Sequence, residues 1–208
     1  MPTELFHITA LENIESILRC KAVYSVSKSN ELKLCHTSIA YPKIQDRRAK
    51  FPVPLTPNGF VHDYVPFYFA PRSPMLYAIH QGVVDGYSKG QENIIYLVSS
   101  VESVAASNLR YVFTDGHAIM QLSEYYNQLS DLNQVDWDIM KRQYWNDTID
   151  DGDRKRRRQA EFLVYEMLPL ANIHQIVVMD SRAEQIVVEK TCEVGTNIPV
   201  RVTRDWYY

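Results

Sequence analysis

Residues 161–203 read EFLVYEMLPLANIHQIVVMDSRAEQIVVEKTCEVGTNIPVRVT. Four runs in this stretch are short, rich in Val, Ile and aromatics, and bounded by turn-forming residues: Glu161–Met167, Gln175–Met179, Gln185–Glu189 and Pro199–Thr203. Each reads as a strand. Upstream the pattern differs. Residues 4–8 read as one strand. Thr9-Ala10-Leu11-Glu12 has the spacing of a capping box, a hydroxyl followed three residues later by Glu. Leu11, Ile14, Ile17 and Leu18 then repeat at helical spacing. Residues 65–70 read as a strand entered at Pro66, which places it near a sheet edge. Ser73-Pro74 starts a helix that runs through Gln81 and stops at Gly82. Residues 94–99 form a buried strand, and helices are expected over 118–132 and 136–145. Helices early and strands late, without regular alternation, predict an α+β fold rather than a doubly wound sheet.

The chain has 208 residues, which fits one domain over 1–208. Lys plus Arg number 22 and Asp plus Glu 25, a net charge of -3, so broad coating of a duplex is excluded while a local basic patch is not. The 14 Tyr suit a core and rim with half-wet surfaces. Cys20, Cys35 and Cys192 form no C-x-x-C pair, which argues against a zinc ribbon and for a reducing cytoplasm. The six His show no i, i+4 pairing, so no metal site is expected. The opening residues lack the pattern of a signal peptide, and no apolar run approaches 18 residues, so no membrane association is expected. Gly-rich phosphate loops and the G-x-S-x-G elbow are missing.

Three places carry candidate chemistry. His7 lies on a strand just before a helix start, where free N–H groups favour polar ligands. Glu161 opens an apolar strand directly after a cationic run, and Glu166, five residues on, would face the other way in a regular strand. Arg154-Lys155-Arg156-Arg157-Arg158 can follow a nucleic-acid backbone or neutralise Asp150, Asp151 and Asp153. Residues 25–63 look irregular and polar, with a basic knot at Arg47-Arg48-Ala49-Lys50, as in a binding loop or lid.

The segments LFHITALENIESILR, IQDRRAK, HDYVPFYFAPRSPMLYAIHQG, TDGHA and QYWNDTIDDGDRKRRRQAEFLVYEMLP, with the closing WYY, resemble the DarT family of DNA ADP-ribosyltransferase toxins. The resemblance spans nearly the whole chain. It implies an ADP-ribosyltransferase fold similar to poly-ADP-ribose polymerases, with central split, largely antiparallel sheets and flanking helices. It implies NAD as co-substrate, no metal, and transfer of ADP-ribose to a base in single-stranded DNA. Thymidine is the expected target, with guanosine, RNA or protein as other acceptors and a non-catalytic single-strand binder as a further alternative. It also implies an antitoxin partner bearing a macrodomain. By residue, His7, Ile8 and Thr9 match the NAD-binding motif, and Glu161 matches the catalytic glutamate. Arg47 or Arg48 matches the catalytic arginine, with Arg47 preferred. His117 falls in a segment serving activity and DNA engagement. Residues 146–158 match the loop that shapes the acceptor site, so Arg154, Arg156, Arg157 and Arg158 are expected on DNA. Tyr68, in the best-matching block, is inferred to lie near the nicotinamide. Relatives often carry Gly where this chain has Cys20-Lys21-Ala22, which puts the turn there in question.

Overall fold

The structure is a computed structural model and describes residues 2–208. In chain order it contains strand β1 (Glu4–Ala10), helix α1 (Ile14–Cys20), β2 (Ala22–Tyr24), α2 (Val26–Glu31), α3 (Pro42–Arg48) and β3 (Tyr64–Tyr68). There follow α4 (Pro74–His80), β4 (Ile94–Ser100), α5 (Val101–Ala106), β5 (Tyr111–Thr114) and β6 (Tyr125–Tyr126). The last third holds α6 (Trp137–Lys141), α7 (Arg154–Arg157), β7 (Glu161–Tyr165), β8 (Met167–Pro169), β9 (Gln175–Val178), α8 (Ser181–Glu193) and β10 (Val200–Val202). The α+β expectation holds.

Eight strands form one sheet in the order β10-β9-β4-β1-β3-β7-β5-β6, antiparallel except for the β10–β9 pair. Both faces are covered. Alternate residues divide between them, as the two-residue period of a strand requires. Leu5, Ile95, Leu97, Phe67 and Phe162 pack on one side with α1, α5 and α8 residues, and Phe6, Ile8, Tyr96 and Val98 pack on the other with Leu76 and Ile79 of α4. All seven residues of β4 are buried as a result.

One junction in the sheet is weak, and it positions the site. β1 pairs β4 along seven residues, but meets β3 only at Phe6↔Tyr68. Beyond that pair the two strands part. Pro66 sits in the parted stretch, so its missing N–H breaks no ladder there. This corrects the expectation of an edge strand: β3 is interior and the sheet splits beside its proline.

Other expectations are also corrected. The capping box does not form, because the strand continues through Thr9 to Ala10 and a 3-10 turn at Leu11–Asn13 leads into α1. Thr9 Oγ1 instead accepts from Asn13 Nδ2 at 2.9 Å. Residues 25–63 contain two helices: α2, whose N-cap Ser25 accepts from Lys28 N, and α3, with Pro42 in its first turn. The helix expected over 118–132 is a turn, the short β6 and a 3-10 segment: Ala118 and Ile119 are buried, and Tyr125, Tyr126 and Leu132 reach the core from non-α-helical backbone. The helix expected over 136–145 stops at Lys141, Arg142 being extended. Glu166, at φ +59°, separates β7 from β8. Gln185–Glu189 belongs to α8, not to a strand: Asp180 caps it by accepting from Ala183 N, and burial recurs at Ala183, Val187 and Thr191. A four-residue spacing on a capped segment outweighs the strand propensity of Ile186-Val187-Val188. Among the described residues no helix is long and apolar enough to cross a membrane.

Candidate active site

The split between β1 and β3 opens into a cavity of about 510 Å³. His7, Ile8 and Thr9 line it from β1, Tyr68 from β3, Arg47 and Arg48 from α3, and Glu161 from the mouth of β7. The residues marked by the resemblance at distant points of the chain thus converge. A cavity of this size suits a cofactor-sized ligand.

Glu161 is the first residue of β7 and lies directly opposite Tyr68, the last of β3. Only 2% of it is exposed. Its Oε1 accepts from the Ala118 backbone N–H at 3.0 Å and from Arg48 Nη1 at 3.1 Å. Its Oε2 lies 2.9 Å from the same Nη1. A buried carboxylate needs such compensation, and the ion pair with a backbone donor supplies it. His117 Nε2 stands 3.9 Å from Oε1. Burial lowers the His117 pKa, Glu161 partly opposing that shift.

The doubled arginine separates cleanly. Arg48 is buried and paired with Glu161, and its Nη2 is buried without a partner among the described residues. Arg47 is exposed, and its Nη2 donates to Ile119 O at 3.1 Å. Arg47 was the preferred catalytic arginine, but adjacent residues on a helix point about 100° apart, and Arg48 is the one turned toward Glu161.

His7 Nδ1 donates to Pro66 O at 2.8 Å, across the gap where the β1–β3 ladder is missing. Burial lowers its pKa, with the Pro66 bond opposing. The ring is then neutral near pH 7, and its Nε2 is left as an acceptor. Burial also raises the Tyr68 pKa, reinforced by Glu161, so its phenol stays protonated.

The cations of the basic run, expected on DNA, divide by their partners within the protein. Arg158 is 4% exposed and donates to the backbone oxygens of Met140 and Pro71. Arg157 is paired with Asp136, Asp151 and Asp153. Arg156 is paired with Asp115 and Asp153. These three hold the fold around the loop. Arg154 and Lys155 form no ion pair among the described residues, and Lys155 lines the cavity. Exposed Tyr144 and Ile149 lie on the same loop, which Arg154 Nη2 ties down by donating to Tyr144 O at 2.7 Å.

Sequence reading missed the turn at 115–123, which brings Ala118 N–H to Glu161. The Gly within TDGHA was the available signal. Residues 34–41, inside the stretch read as a binding loop or lid, do form a wall of the cavity, and Asn13 grips Thr37 there by donating to its O at 2.9 Å and accepting from its N at 2.8 Å.

The family described as "ssDNA thymidine ADP-ribosyltransferase, DarT" matches residues 6–208. A DNA ADP-ribosyl transferase of Thermus sp. strain 2.9 is 41% identical over 209 residues, covering 100% of this chain and 97% of that protein. The structure of Thermus sp. 2.9 DarT in complex with ADP-ribosylated single-stranded DNA is similar with a TM-score of 0.93 at 40% identity, covering 100% of this chain and 97% of the other. The same protein in complex with NAD+ gives a TM-score of 0.90 at 37% identity, covering 100% and 98%. With its fold and its sequence from residue 6 to 208 in agreement, the chain belongs to the DarT family of single-stranded-DNA thymidine ADP-ribosyltransferases.

Proposed function

We propose that the chain moves the ADP-ribosyl group of NAD+ onto thymidine in single-stranded DNA, with Glu161 and Arg48 at the reacting centre and His7 and Tyr68 holding the NAD+. The observation that carries this assignment is the Arg48–Glu161 pair, buried beside the sheet's split in a 510 Å³ cavity. The residues present fit the dinucleotide: Arg48 Nη2 is buried without a partner among the described residues, and the His7 Nε2 acceptor suits a ribose hydroxyl.

NAD+ supplies an ADP-ribosyl group already joined to a cationic leaving group, nicotinamide. Glu161 holds negative charge where the ribose carbon becomes positive as that bond breaks, an electrostatic stabilisation already in place before reaction. Arg48 and the Ala118 N–H fix the carboxylate in one orientation. The attacking base nitrogen must lose a proton, and Glu161 accepts it after attack. Arg48 is unsuited to that task, since a guanidinium stays protonated. Tyr68 offers a ring face beside Glu161 for the nicotinamide. Single-stranded substrate brings its base to the cavity without the cost of unstacking a duplex, and Arg154, Lys155 and Tyr144 flank its path.

Incubating the protein with NAD+ and oligonucleotides offering one target base each tests the reading by mass. An ADP-ribose adduct on thymidine alone is the expected result. The resemblance further supports a toxin acting in the cytoplasm, with a macrodomain-bearing antitoxin as its partner. Growth arrest by the chain, relieved by such a protein, is the corresponding test.

A further inference from the structure

We propose that Arg156 is a positioning residue for Glu161, not a DNA contact: its guanidinium is the strut that aims the Ala118 N–H at the Glu161 carboxylate. This rests on Glu161 being the catalytic carboxylate.

The geometry runs in two directions from one side chain. Toward the loop, Nε and Nη2 of Arg156 each donate to one oxygen of Asp153 at 2.8 Å, a bidentate pair. Toward the turn, Nη1 donates to Asp115 Oδ1 at 3.1 Å and to Ser123 Oγ at 3.2 Å. Ser123 Oγ in turn donates to His117 O at 2.8 Å, and His117 N donates to Arg156 O at 3.1 Å. The residues before and after Gly116 are therefore both held by Arg156. Gly116 lies flat on the guanidinium: a Cβ there would stand 2.2 Å from Nη1 and 2.9 Å from Arg156 Cγ. Two residues on from Gly116, Ala118 N donates to Glu161 Oε1. The base of the turn is fixed on β7 itself, since Glu161 N donates to Thr114 Oγ1, which donates to Gly116 O.

Only 12% of the Arg156 side chain is exposed, and four of its five N–H bonds are already engaged by Asp153, Asp115 and Ser123. Little remains to offer a phosphate. Misplacing a catalytic group by about 1 Å costs about 100-fold in rate, which sets the expected scale when the strut is removed.

The test compares Arg156→Gln, Arg156→Lys, Gly116→Ala, Arg154→Gln and Glu161→Gln. For each, kcat, KM for NAD+, affinity for an unreacted oligothymidylate and the salt dependence of that affinity are measured. Arg156→Gln is expected to lower kcat by about 100-fold while KM, DNA affinity and its salt slope stay at wild-type values. Arg156→Lys, which keeps the charge but not the fork, recovers part of the rate. Gly116→Ala, which keeps the Arg156 side chain but pushes its guanidinium aside, gives the same kcat loss if it folds, and the salt slope is read independently from Arg156→Gln if it does not. Arg154→Gln alone flattens the salt slope. Loss of DNA affinity and a flatter slope in Arg156→Gln with kcat unchanged would overturn the proposal, as would full activity in both Arg156 variants. Full activity in Glu161→Gln would instead overturn the reading beneath it, so the two failures are told apart.

Discussion

At the residue scale, adjacent arginines on one short helix do different work. Arg48 reaches inward to Glu161, and Arg47 reaches across to the carbonyl of Ile119. Glu161→Gln keeps the shape and removes the charge. It is expected to lower kcat by about a hundredfold to a thousandfold, the scale of losing one preorganised electrostatic partner, with the protein still folded by circular dichroism. Arg48→Ala should cost activity on a similar scale, and Arg47→Ala much less. Because Arg48 and Glu161 form one unit, the double variant should be no worse than the poorer single one. Steady-state kinetics on the four proteins checks both statements. The family match pointed to this pair from sequence up to a one-residue ambiguity. Helix phase turns Arg48 rather than Arg47 toward Glu161, and phase was illegible because α3 falls in a stretch whose polarity and prolines suggested no helix at all.

At the element scale, the turn after α1 shows a local departure with a measurable consequence. Lys21 stands at φ +53°, in the left-handed region, where a side chain costs about 1 kcal/mol relative to Gly. Lys21→Gly should therefore stabilise the fold by about 1 kcal/mol, or about 2–4 °C in Tm for a chain of this size. Differential scanning calorimetry reads it, and a lower Tm would contradict the account. The same scale explains what sequence patterns conveyed and what they hid. β4 and β7 were legible because runs buried on both faces are continuously apolar. α8 was misread because Ile186-Val187-Val188 resembles a strand, while its helical signal, burial every fourth residue after an Asp cap, is faint in an otherwise polar segment. The turn at 115–123 was hidden because its support comes from Arg156, far along the chain.

For the whole molecule, the net charge of -3 and the arrangement of cations predict how it meets DNA. Of the five cations at 154–158, Arg156 and Arg157 are paired with the protein's own acids and Arg158 is buried against carbonyls, while Arg154 and Lys155 form no ion pair among the described residues. If only Arg154 and Lys155 meet phosphates, this run contributes a salt slope of about -1.4, against about -3.5 if all five did. Titrating an oligothymidylate at several salt concentrations separates these values once the wild type is compared with a variant lacking both. Acid should also weaken the fold. His7, His62 and His117 all have pKa values lowered by burial. Below about pH 6.5 the unfolded chain binds protons that these folded histidines refuse, so stability falls as pH drops toward their lowered values. Tm measured at pH 7.5 and pH 5.5 should be lower at the acid value, and His7→Gln should reduce the difference. A flat profile would contradict the buried, neutral state assigned to His7.

The most direct test of the central claim is mass spectrometry of oligonucleotides after incubation with NAD+ and either wild-type protein or Glu161→Gln. The account predicts one ADP-ribose on thymidine-containing single strands with the wild type, none on strands lacking thymidine, and formation slowed by about a hundredfold or more with Glu161→Gln. An adduct formed by Glu161→Gln at the wild-type rate, or no adduct on thymidine in any context from folded wild-type protein, would contradict it.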